Sequence, residues 1–83
     1  MTDVTTVALT KPSTGGVALR HEDGSYALAE QLGAKQLQVG QKLVGRVDSI
    51  GIERLVDQES GEDFALFIQA YGLGLEAVQT ELR

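Results

Sequence analysis

A chain of 83 residues with a net charge of −5 and no cysteine has room for one domain with a modest core. It can form neither disulfides nor thiolate metal sites. No apolar run approaches the ~20 residues of a membrane-spanning helix, and "MTDVTTVALTKPS" lacks the basic start and apolar stretch of a secretory signal. The expectation is a cytoplasmic protein with no membrane role.

In chain order, "VTTVALT" (Val4 to Thr10) is rich in β-branched residues and reads as a strand over 4–10. "TKPSTGG" around Pro12, the only proline, is a loop. Asp23-Gly24 between two apolar segments is a strong hairpin signal, because both positions of such a turn tolerate positive φ. It predicts strands over 16–21 and 25–31. The second of these has a rival, since Ser25 as N-cap, Leu28 and Leu32 four apart, and Gly33 as a stop also describe a short helix. The Asp-Gly turn directly in front favours the strand.

"KLVGRVDSI" over 42–50 alternates an apolar face (Leu43, Gly45, Val47) with a largely charged one (Lys42, Arg46, Asp48), as in an antiparallel strand wetted on one side. Gly40 stands before it as an entry turn and Gly45 interrupts it as a bend, since glycine weakens strands unless a turn or bend requires it. "IERLVD" predicts a strand over 52–57 and "QESGED" a turn. "FALFIQA", apolar at nearly every position, predicts a strand over 63–70 buried on both faces, with Phe64 and Phe67 both in the core. The period then changes: Leu75, Val78 and Leu82 share one side of a helix over about 73–82, too short to stand alone in water. It must cap its own barrel or lie on a partner.

The fold class expected is mainly β: a small antiparallel SH3-like or OB-like barrel over about 4–70 with a short C-terminal α-helix, in a single domain over 1–83. The predicted core is Val7, Leu9, Val17, Leu19, Leu28, Leu43, Val47, Leu55, Phe64, Leu66, Ile68, Leu75, Val78 and Leu82.

Chemistry is sparse. His21 is the only histidine; beside Glu22 and Asp23 on a hairpin tip it completes no nucleophilic or metal-binding set. The loop Ser13 to Gly16 and the "GLG" at 72–74 match no phosphate-binding pattern. No acid–base pair can be assembled, so no catalytic residue, metal or cofactor is expected, and the chain reads as a non-enzyme.

The charge is unevenly placed: residues 1–42 balance four acids with four bases, while 43–83 hold eight acids against three bases. Asp57, Glu59, Glu62 and Asp63 crowd one turn in a spacing that fits no EF-hand loop. They are either simple hairpin-tip polarity or a docking patch for another protein. The function expected is therefore that of an accessory or regulatory protein (inhibitor, adaptor or assembly subunit) acting by protein–protein binding through those four carboxylates. Homo-oligomerisation through strand edges is also open. The alternative is a small barrel that binds nucleic acid through a local basic face of Lys42, Arg46 and Arg54 with Tyr26 as a stacking ring. Net acidity disfavours that partner.

Overall fold

The β-branched N-terminal run pairs along both of its edges, and this closes the sheet. In the computed structural model, which describes residues 3–82, β1 (Asp3–Lys11) runs antiparallel to β2 (Gly16–His21) on one side and to β4 (Lys42–Gly45) on the other. With β3 (Tyr26–Gln31), β5 (Gly51–Asp57) and β6 (Asp63–Leu73), the strands form a closed antiparallel barrel in the order β1-β2-β3-β6-β5-β4. The helix α1 (Leu75–Glu81) comes last. The mainly β barrel with a short C-terminal helix is thus as expected, and the segment after the Asp-Gly turn is a strand.

The turn itself differs from the expected form. Only Gly24 takes positive φ, at 90°. The Gly24 N–H donates to the His21 carbonyl (3.0 Å) and the His21 N–H to the Ser25 carbonyl (2.8 Å), so the loop over 22–24 closes with a glycine bulge.

The glycines around β4 do separate jobs. Gly40, at φ 98°, turns the chain into the strand. Gly45, at φ 155°, lies so close to the Leu55 side chain and the Arg54 carbonyl that a Cβ there has no room. The chain leaves the ladder at that point, and β4 stops at Gly45 instead of running to 50. Val47 is still buried, because the departing segment folds it into the barrel end.

Inward positions of the strands and two connecting segments fill the interior with Val7, Val17, Leu19, Leu43, Leu55, Leu66 and Ile68, joined by Phe64, Val47 and Leu37. Leu37 is a core residue that the pattern did not reveal. It sits in the connection over 32–41, which must cross a barrel end because β3 and β4 are not neighbours. That crossing is anchored to β1, where the Gly40 N–H donates to the Val7 carbonyl (2.8 Å) and the Val7 N–H to the Gln41 carbonyl (2.9 Å).

Several expected core residues lie on the outer wall instead. A bulge between Val7 and Leu9 moves Leu9 outward, into the row Leu9–Ala18–Leu28–Ala70, since one extra residue reverses the facing of the rest of the strand. The helix α1 packs against β3, buries Val78 completely and brings Leu82 onto Gly16, where a side chain would not fit. It therefore lies along the wall rather than over an end. Leu28 and Leu82 are half-buried there, and Leu75 is exposed. β6 alternates instead of being buried on both faces: Phe64, Leu66 and Ile68 point in, while Phe67 is exposed.

Candidate functional site

The four clustered carboxylates divide on folding. Asp57 is only 7% exposed and is committed to its own turn. Its Oδ1 accepts from the Glu59 and Ser60 amides (2.8 and 2.9 Å), and its Oδ2 accepts from Gln41 Nε2 (2.6 Å). Those bonds, the Ser60 amide first, hold its carboxyl below the usual aspartate range. Glu62 is ion-paired with Lys35 Nζ at 2.6 Å. The side chains of Glu59 and Asp63 remain exposed without a partner among the described residues. Half of the cluster is therefore structural.

The basic residues do not gather into one face. Arg46 is tied to Asp48 at 3.0 Å, which raises the arginine and lowers the carboxyl. Arg54 lies on β5 opposite Ala65, and Tyr26 on β3 is the cross-strand partner of Arg20 on β2. Lys42 instead shares an outer row with Arg20 across Thr6. Arg20 was not singled out from the sequence, because only the β1 register brings the two cations together.

One barrel mouth is a shallow cleft of about 200 Å³ with Ala27 and Val47 in its lining. Around it, His21 Nε2 lies 3.2 Å from Asp3 Oδ2 and Nδ1 lies 3.2 Å from Asp23 Oδ1. The hydrogen bond to Asp3 is the largest cause of a raised histidine pKa. The Ser25 hydroxyl and amide both donate to Asp23 Oδ1, at 2.6 and 2.8 Å, and lower its pKa. Ser25, His21 and two aspartates thus stand together without forming a nucleophile–base relay. Both ring nitrogens face carboxylates, and the hydroxyl donates to Asp23 rather than to the ring. No group of three or more His, Cys, Asp or Glu side chains among the described residues is arranged to hold a metal ion.

The largest departure from ordinary burial is on the outer wall of β3, β6 and β5. Ile52 and Phe67 stand directly opposite each other, 68% and 37% exposed. Glu30 pairs with Phe67 from the other side, giving the row Glu30–Phe67–Ile52. The next outward row is Leu32–Ala65–Arg54: the Leu32 N–H donates to the Ala65 carbonyl (3.0 Å), and Arg54 is the cross-strand partner of Ala65. Leu32 is also exposed. Single exposed apolar residues are ordinary, whereas adjoining large ones mark interaction surfaces. The sequence pattern hid this face, because an unbroken apolar run reads as doubly buried.

Comparison with protein-family models, with curated proteins and with solved structures found no match. Among the described residues, no helix is long and apolar enough to cross a membrane.

Proposed function

We propose that the chain is a non-enzymatic accessory or regulatory protein of the cytoplasm, an inhibitor, adaptor or assembly subunit on an SH3-like or OB-like barrel, that acts by binding protein. The observation that carries this reading is the pairing of two large apolar side chains, Ile52 and Phe67, at directly opposed solvent-facing positions. Burying such a pair yields about 1.5–3 kcal/mol per side chain, and aromatic anchors of this kind dominate interface energetics. The docking surface is accordingly moved from the acidic turn to the sheet face, with Glu59 and Asp63 left as peripheral charge.

A photo-crosslinking residue placed at position 52, and separately at position 59, tests the reading in cells. Discrete protein adducts are expected from position 52 and not from 59, and they should disappear when Phe67→Ser is added. Adducts from 59 alone would return the site to the acidic turn. Adducts from neither position would overturn protein binding.

The second reading, nucleic-acid binding, rests on the row Arg20–Thr6–Lys42, whose two cations have no partner among the described residues. It predicts retention on single-stranded nucleic acid that falls steeply with salt and is lost in Lys42→Glu.

A further inference from the structure

We infer that the occupant of the β3–β6–β5 face is a second copy of this chain, in a two-fold dimer closed by reciprocal Glu30–Arg54 ion pairs. This rests on the protein-binding reading and names its partner. Glu30 on β3 and Arg54 on β5 occupy diagonal corners of the face, in adjoining outward rows on either side of Phe67 and Ala65. Neither has an ion-pair or hydrogen-bond partner among the described residues. One acid and one base placed this way are complementary to themselves. A two-fold axis lying in the plane of the face sets each Glu30 on the other copy's Arg54 and brings both Phe67–Ile52 pairs together at the centre. That is the self-matching patch an isologous interface requires.

The packing is feasible for two sheets. With strands ~4.8 Å apart and outward residues ~6.8 Å apart along a strand, the axis that superposes the two corners makes the strands cross at roughly 70°, towards the orthogonal class. Charge also favours this face. Its two ionic corners cancel, while the molecule as a whole carries −5, so the two rows themselves bring no net like charge together. The face comprises the six outward positions of those two rows, fewer than the roughly 20–30 residues a side of a standard interface. The dimer is therefore weak and forms only at high micromolar to millimolar concentration.

Sedimentation velocity from about 1 μM to about 1 mM reads this range. The wild type is expected to pass from monomer to dimer. Arg54→Glu should weaken the dimer at least about tenfold by opposing like charges. The double variant Glu30→Arg/Arg54→Glu should return it to within about threefold of wild type, because the swap restores both pairs. Phe67→Ser should abolish it, with an unchanged circular dichroism spectrum certifying the fold of each variant. A wild type that stays monomeric at ~1 mM overturns the proposal. So does a dimer indifferent to Arg54→Glu, or a charge swap that fails to rescue. If the chain is monomeric and position 52 still yields adducts of another mass, the dimer fails and the protein-binding reading stands. If position 52 yields none, both fail.

Discussion

The two ends of the barrel are sealed by the same means and held by different ones. At each end an apolar side chain from a connecting segment drops into the interior: Leu37 where β3 crosses to β4, and Val47 where β4 leaves its ladder. Around Leu37 the ties are permanent at neutral pH. Gln41 bonds Asp57, Asp57 holds its own turn, and the crossing is bonded to β1. Around Val47 the start of β1 is tied to the β2–β3 turn by the Val4 N–H, which donates to Glu22 Oε1 (3.1 Å), and by His21, between Asp3 and Asp23. The lesson is that equally buried plugs can be held by different chemistry, one end leaning on a carboxylate bonded within its own turn and the other in part on a histidine.

The largest effect comes from emptying the plugs. Leu37, 2% exposed, has no ladder bonds of its own segment to keep it in place, so Leu37→Ala should lower stability by about 3 kcal/mol. Val47→Ala, which removes less volume, should lower it by about 2 kcal/mol. Urea unfolding reads both as a shift in midpoint at constant slope. Equal losses, or a smaller one for Leu37, would mean that Leu37 is not the larger plug.

That same comparison marks how much the sequence made legible. Local signals located all six strands: β-branched residues marked β1, the Asp-Gly turn β2 and β3, alternation β4, and a short apolar run β6. Leu37 left none: it is one leucine among polar residues, and its burial follows from a crossing that exists only once β1 has closed the sheet. Leu9 was misplaced by a bulge, which propensity does not encode. Asp57 read as a docking carboxylate because composition cannot distinguish a carboxylate turned into its own loop from one offered to solvent. Phe67 was the reverse case, assigned to the core by its apolar neighbours when the strand in fact alternates.

An acid titration sharpens the contrast at the locked end. The Asp57 carboxyl is held below its ordinary value, so its contribution is present above the unfolded value of about 3.9 and is lost as pH falls through the folded value. The stability of the wild type should therefore decline below about pH 4, with Asp23 and Asp48, also lowered, adding to the slope. Asp57→Asn should flatten part of that decline while lowering stability at neutral pH. If the acid limb is the same in both proteins, the Asp57 turn is not the element that secures this end.

The smallest effect belongs to the other end and has the opposite sign. His21 is raised above 6.5, chiefly by Asp3, so the stabilisation it brings is fully present below 6.5 and is lost as pH rises through the folded value. When protonated, both ring nitrogens donate, one to Asp3 and one to Asp23. When neutral, Nδ1 lies within reach of the Asp23 N–H at 3.3 Å, and only Nε2 can hold its carboxylate. An NMR titration of the His21 ring should give a midpoint above 6.5, and Asp3→Asn should move it down further than Asp23→Asn does, because the hydrogen bond to Asp3 is the strongest cause of the rise. Amide exchange, corrected for intrinsic rate, should show the start of β1 loosening as pH rises through the folded His21 value while the Leu37 crossing is unchanged. An unshifted midpoint in Asp3→Asn would mean that β1 is not tethered through the histidine, and the two ends would then differ in plug size alone.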